Sequence, residues 1–141
     1  MGLHLTVVTP TGQAFDGAVE QVVLPGTEGD FGVLEQHERF LSALRPGPVE
    51  IKTAAGSQWA AISDGFADVS AEAVTVLVSR CDLAAKLDRA AAQTEVGDLE
   101  ARLAALPAPG ADARAEGASL ERAELERELE AARVRLDVAG R

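Results

Sequence analysis

The residues best suited to chemistry in this chain stand in one stretch, GTEGDFGVLEQHERFLSALRPG, residues 26–47. Gly26, Gly29 and Gly32 recur at every third position, Asp30, Glu35 and Glu38 supply carboxylates, His37 an imidazole and Ser42 a hydroxyl. Three chemistries could use such a set: a backbone cradle for phosphate, a metal centre, and hydrolysis by a histidine-activated nucleophile. A phosphate cradle places its glycines just before a helix N-terminus, where N–H groups and the dipole face the anion, usually with a Lys directly after. Here no Lys follows, the flanks read as strands, and the spacing matches neither the dinucleotide fingerprint nor the Walker pattern. A zinc centre takes three or four ligands, mostly thiolates and imidazoles. His4, the only other histidine, lies in a different strand, so no metal and no cofactor is expected. A general base needs an orienting partner and a nucleophile in a pocket, and Ser42 reads as an ordinary strand residue. What remains is an acidic, protruding loop suited to touching another protein, in which Gly26, Gly29 and Gly32 permit positive φ or a bulge.

Charge narrows the partners. The chain of 141 residues carries 13 Lys plus Arg against 23 Asp plus Glu, a formal net charge of -10. Such a surface repels a phosphate backbone, so nucleic acid is not an expected partner. The single Cys81 cannot form an internal disulfide, and the opening MGLHLTVVTP lacks a basic start followed by an apolar signal-like run, which points to the cytoplasm. No stretch reaches the ~18 apolar residues of a membrane span. Membrane association is therefore expected only through a partner.

The elements that position these residues follow from two different periods. Valine is concentrated early, and LHLTVVT (3–9), AVEQVVL (18–24), FGVL (31–34), FLSAL (40–44), VEIKTA (49–54), QWAAIS (58–63), GFADVS (65–70) and AVTVLVS (73–79) show partial alternation. Turn clusters PTGQ, PGTEGD, RPGP and AAGS separate them. Short strands with no helical pattern between them predict an antiparallel β-sandwich or flattened barrel of about 8–10 strands over residues 1–82. Trp59, Phe15, Phe40 and Phe66 are expected in its core, Cys81 as a semi-buried inert thiol, and Gly65 at a turn or bulge.

After Asp82, a candidate N-cap, apolar residues recur at helical spacing: Leu83, Leu87, Ala90, Val96, Leu99, Leu103, Leu106. A first helix is predicted over about 83–106, bent or frayed at Gly97, then a flexible linker 107–118 and a second helix over about 119–139 capped by Ser119. The second helix carries the stripe Leu125, Leu129, Ala132, Leu136 and a solvated charged face. Together these make a C-terminal α-helical hairpin over 83–141.

VVTPTGQAFDGAVEQVVLPGTEGDFGVL, His37, FLSALRPGPVEI, ISDGFADVSAEAVTVLVS and LDRAAA together resemble the epsilon subunit of the bacterial F-type ATP synthase, over nearly the whole chain. The resemblance implies the same sandwich-plus-hairpin fold and a non-catalytic rotor subunit of the central stalk, which couples rotation of the c-ring to the gamma subunit during ATP synthesis. It implies gamma and the c-ring as partners, the alpha/beta subunits as further partners of the hairpin, and a peripheral place on the cytoplasmic face of the inner membrane. It also assigns Asp30 and His37 to contact with the c-ring. Just there the chain departs from its relatives, with Glu35-Gln36 in place of Pro-Gly and Glu38-Arg39 in place of Ala-Pro.

Some relatives bind ATP through a motif of the form (I/L)DxxRA. Here Leu87 and Asp88 are kept, but Ala91 stands in the arginine position and Arg89 lies on another face of the helix. Losing a fork-shaped guanidinium donor implies weak or no ATP binding. Residues 119–141 hold five Arg against five Glu and one Asp, so this hairpin is expected to be at most a weak inhibitor of ATP hydrolysis. The reading of another class is a free-standing β-sandwich ligand-binding module with a helical dimerisation hairpin.

Overall fold

The computed structural model describes residues 3–34, 38–106 and 115–141. Ten strands precede the helices: β1 Leu3–Thr9, β2 Gly12–Val19, β3 Gln21–Gly26, β4 Gly29–Leu34, β5 Phe40–Leu44, β6 Gly47–Thr53, β7 Gly56–Ile62, β8 Gly65–Val69, β9 Ala73–Val78 and β10 Cys81–Leu83. Alternation sets which side chains go in. In β1, Leu3, Leu5 and Val7 are buried while His4 is exposed, and β9 repeats the pattern with Val74, Val76 and Val78. These meet Val22, Leu24, Val33, Leu44, Val49, Ile51 and Val69 in one apolar cluster. Each such side chain, fully removed from water, contributes roughly 1.5–3 kcal/mol.

The strands run in the order β10-β7-β6-β3-β5-β8-β9-β1-β2, with β4 paired to β3 alone. β2 comes back against β6 and β10, so the sheet nearly closes on itself. The sheet is not wholly antiparallel, because β1 and β9 pair in parallel, from His4↔Ala73 to Val8↔Leu77. Strands so far apart in sequence can pair either way, and no local pattern signals which. β2 was also unforeseen as a separate strand. Its burial is mostly intermediate or exposed, so GQAFDGAV shows little alternation, and its pairing with β1 is what defines it.

Three hairpins share one device. Thr9↔Gly12, Gly26↔Gly29 and Thr53↔Gly56 each close a two-residue turn, and Gly12, Gly29 and Gly56 have φ of 129°, 133° and 128°. In two of them the threonine hydroxyl also donates to the glycine carbonyl, at 2.9 Å in Thr9–Gly12 and 3.0 Å in Thr53–Gly56.

The passage from sheet to helix differs from the expectation. Asp82 is not a helix cap but part of β10, which pairs with β7 through Cys81↔Ile62, Asp82↔Ala61 and Leu83↔Ala60. Leu83 packs on the sandwich core instead of starting a helical stripe, and Arg80 Nε donates to Asp82 Oδ2 at 2.7 Å. A 3-10 turn, Ala84–Lys86, follows, and α1 runs Arg89–Ala104 from an N-cap at Asp88. Gly97 lies on the exposed side of α1, and the helix continues through it. The second helix, α2, runs Ala115–Ala139. It starts before Ser119, which is therefore inside the helix and not its cap. Of the expected linker, residues 107–114 lie outside those described. Val96 and Leu99 of α1 pack with Leu129 and Ala132 of α2, flanked by Leu103, Leu125 and Leu136. α2 is also the helix that rests on the sandwich, against β6, β7 and the 3-10 turn.

Burial first, and the neighbouring Asp82 second, push the Cys81 thiol from 9.0 up to about 11. Alkylation of the folded protein at pH 8 is thus expected to run on the order of 100-fold slower than in the urea-denatured chain, because only the thiolate reacts. Equal rates would contradict the packing described. The linkage has a definite sign: the raised pKa leaves stability intact below pH 9.0 and removes it as pH rises toward about 11.

Candidate functional site: an acidic hairpin tip and an exposed apolar sheet face

The glycine-rich stretch forms a tight hairpin and not a long loop. β3 pairs with β4 along its whole length, from Gln21↔Leu34 to Gly26↔Gly29, leaving only Thr27 and Glu28 as the turn. Of the three glycines only Gly29 has positive φ. Gly26 answers to close approach, since a Cβ there would stand 2.6 Å from the Gly29 carbonyl oxygen, whereas one on Gly32 would stand 2.8 Å from Nε2 at the movable end of the Gln21 side chain. The tip is fastened to the end of β5, where Thr27 N–H donates to the Ala43 carbonyl at 3.1 Å and Arg45 N–H to that of Pro25 at 2.9 Å.

Asp30 follows the turn and is not a bare carboxylate, because Arg45 Nη2 donates to its Oδ1. The Asp30 side chain nevertheless keeps 56% of its exposure. A concavity of about 440 Å³ beside it is lined by Thr27, Glu28, Phe31, Leu41 and Ser42 among others. His37, with Glu35 and Gln36, lies outside the described residues. His4, the other imidazole, bonds Asp16 Oδ1 at 2.5 Å on the outside of β1 and β2. That bond, with a weaker one from the Thr6 hydroxyl, holds the Asp16 carboxyl below its ordinary value. Among the described residues no group of three His, Cys, Asp or Glu side chains could hold a metal ion.

A second feature was not foreseen. Phe66, expected in the core, is 54% exposed, and Leu77 and Leu41 are 50% and 69% exposed. Phe66 pairs with Ala43 of β5 on one side and Leu77 of β9 on the other, and Leu77 pairs with Val8 of β1. Residues opposite one another on neighbouring strands share a face, so Ala43, Phe66, Leu77 and Val8 form one row across four strands. Leu41, two residues from Ala43, extends it toward the hairpin tip. The signal was present in GFADV: Ala67 and Val69 are buried, which puts Phe66 on the outer side with Asp68. Phe15 and Phe40 do pack against the core, partly buried, whereas Trp59 is half-buried on β7, beneath the end of α2.

Residues 2–84 match the family model described as ATP synthase, Delta/Epsilon chain, beta-sandwich domain. The chain belongs to the ATP synthase delta/epsilon family. It is 39% identical over 100 residues to the ATP synthase epsilon chain of Bradyrhizobium sp. (strain ORS 278), covering 71% of this chain and 74% of that one. Over 75 residues it is 45% identical to the epsilon chain of Caulobacter vibrioides, covering 53% of this chain and 87% of the relative. Among solved structures, a chain of the Euglena gracilis mitochondrial ATP synthase (OSCP/F1/c-ring, rotational state 1) superposes with a TM-score of 0.75 at 22% identity, covering 99% of this chain and 82% of that chain. A chain of the Tetrahymena thermophila mitochondrial ATP synthase central stalk and c-ring gives 0.58 at 14% identity, covering 99% and 97%. These two likenesses concern the fold, and they extend over sandwich and helices together.

In this delta/epsilon-family chain the segment Leu87–Ala92 has a structural task. Asp88 is the N-cap of α1, its Oδ1 accepting from Ala90 N–H at 2.9 Å and Ala91 N–H at 3.4 Å. Such a cap stabilises a helix by ~1 kcal/mol. Ala91 is exposed on the first turn and has no side-chain donor. The buried guanidinium of the hairpin is elsewhere: Arg135 of α2 is 7% exposed and donates from Nη2 to Glu95 Oε1 of α1 at 2.6 Å.

Proposed function

We propose that this chain is the central-stalk rotor subunit of an F-type ATP synthase, coupling c-ring rotation to the gamma subunit through packed interfaces, with no bond chemistry of its own. The observation that carries the reading is the exposed row Leu41, Phe66 and Leu77 on the sandwich of a delta/epsilon-family chain. Contiguous exposed apolar surface marks an interface, and we assign it to gamma. The hairpin tip is assigned to the c-ring, with Asp30 as a contact and Gly26, Gly29 and Gly32 shaping the turn, and His37, which lies outside the described residues, is assigned to the same partner on the family resemblance. At that tip Arg45 engages Oδ1 of Asp30, whose side chain stays 56% exposed. No helix among the described residues is long and apolar enough to cross a membrane. We assign the chain a peripheral place on the cytoplasmic face of the inner membrane through the complex, and the alpha/beta subunits as partners of the hairpin. Co-expression with gamma is expected to yield a stoichiometric complex. A monodisperse homodimer that ignores gamma and binds a small ligand would instead support the free-standing module, the reading that the family membership disfavours.

Two consequences concern the hairpin. With Asp88 committed to capping and Ala91 offering no guanidinium, calorimetry with ATP is expected to show no binding at micromolar concentrations; a micromolar Kd would refute this. Truncation from Arg89 onward, which spares β10 and its core residue Leu83, is expected to change ATPase activity of the assembled complex by no more than a few-fold. A large rise would show the hairpin to be a strong inhibitor.

A further inference from the structure

The outer side of β8 sets an aromatic ring between two carboxylates. Ala67 and Val69 turn into the core, so Phe66 and Asp68 stand outside, both exposed. Asp64, exposed just before the strand, lines a concavity of about 440 Å³ with Val8, Pro10 and Leu77 among others. Asp68 lies opposite Leu41 of β5 and Thr75 of β9. The exposed apolar row is thus bordered by a carboxylate on either flank, Asp64 beside Leu77 and Val8, Asp68 beside Leu41 and Phe66.

These two carboxylates differ from most others in the chain. Asp16, Asp30, Asp82 and Asp137 are engaged by His4, Arg45, Arg80 and Arg141, and Asp88 caps α1. Among the described residues none bonds the carboxylate of Asp64 or Asp68. In water such a group is satisfied by hydration. Covered by another protein, it loses that hydration and must be matched by a cation or a donor. A partner that covers the apolar row therefore has to bring positive groups to both flanks, and a surface that is merely apolar is turned away. A second copy of this chain, at net charge -10, would bring mainly further carboxylates.

We propose that Asp64 and Asp68 are specificity-determining residues of this face, selecting a gamma surface in which an apolar pocket for Phe66 is flanked by basic side chains. The inference rests on the assignment of the face to gamma made above, and it adds the chemistry that the partner must carry. The apolar row supplies the holding strength. The aspartates supply orientation and speed of encounter, since charges at the rim of an interface act chiefly through electrostatic steering. The sign of one measurement separates this from a purely apolar contact: where gamma brings cations, removing the carboxylates weakens binding, and where it brings only apolar surface, removing them relieves a desolvation cost and tightens it.

The test is the rate and affinity of gamma binding to the full-length chain at low and high salt. Asp64→Ser/Asp68→Asn is expected to bind on the order of tenfold more weakly than wild type at low salt, mostly through a slower on-rate. The gap should close at ~1 M salt, where the screening length is about 3 Å. Asp16→Asn removes a carboxylate from the same sheet face, but one already held by His4 and Thr6, and is expected to change affinity less than about twofold. All three positions are exposed, so melting temperatures should match wild type. Equal or tighter binding by the double variant, or a loss of the same size in Asp16→Asn, would overturn the role of Asp64 and Asp68 while leaving gamma on this face. A wild-type chain that binds gamma at neither salt concentration would overturn the rotor reading itself, and this inference with it.

Discussion

Replacing Phe66 and Leu77 together by Asp is expected to abolish capture of gamma while leaving the sandwich folded. Both side chains are about half exposed, at 54% and 50%, and they face each other across β8 and β9. Their substitution therefore opens no cavity in the core beneath, where Ala67, Val76 and Val78 are buried. At an interface the effect is large for two reasons. The apolar contact of two adjacent anchors is lost, and two carboxylates must be desolvated against an apolar partner surface. Anchors of this kind each carry about 2 kcal/mol or more, so affinity is expected to fall on the order of 1,000-fold. Titration of labelled gamma with the variant measures it, and the melting temperature of the isolated chain should stay within a few degrees of wild type. If Phe66→Asp/Leu77→Asp bound gamma as tightly as wild type, this face would not be the gamma site. The Asp30→Ala/His37→Ala pair then serves as the independent probe of the c-ring assignment.

Gly65→Ala is expected to be among the most damaging small substitutions in the sandwich. Gly65 opens β8, opposite Leu44 of β5 and Val78 of β9. It has neither positive φ nor a place in a turn, which corrects the expectation of a turn or bulge. What requires glycine is the close approach of β9: a Cβ would run into the Leu77 backbone carbonyl and stand 2.8 Å from Val78 Cγ1. Backbone cannot give way as a flexible side chain can, so β8 and β9 must move apart and weaken the pairing that joins β5 to β1. Overpacking of this kind costs up to ~3 kcal/mol and occasionally more, which for a domain of this size lowers the melting temperature on the order of 10 °C. A variant melting within about 2 °C of wild type would mean that the strands adjust freely. Gly32→Ala is the informative control, since its Cβ would meet only the end of the Gln21 side chain, which can swing away.

Much of the fold was legible because it rests on short-range period. Alternating apolar residues located β1, β6 and β9, and three- and four-residue spacing located the packed stripe Val96, Leu99, Leu103 on α1 and Leu125, Leu129, Ala132, Leu136 on α2. Boundaries were less legible. Asp82 and Asp88 are both good caps by residue type, and only the free edge of β7, which recruits Cys81–Leu83 as a strand, decides that the helix begins at the second.

The candidate site divides in the same way. The missing lysine and strand-like flanks argued against a phosphate cradle at residues 26–47, and the want of further ligands or a nucleophile argued against metal and hydrolysis, while residue types alone carried the resemblance to the epsilon family. The turn cluster PGTEGD was legible too, though not that Gly29 alone of the three glycines takes positive φ. Tertiary structure decided what was made of these pieces. It set Arg45 against Asp30, lined Leu41, Phe66 and Leu77 into one exposed face, and laid Arg141 across Trp59. The reason is physical: period and propensity act over a few neighbouring residues, whereas these contacts join positions 11 to 82 residues apart, and strand order, which no local pattern encodes, determines which of them meet.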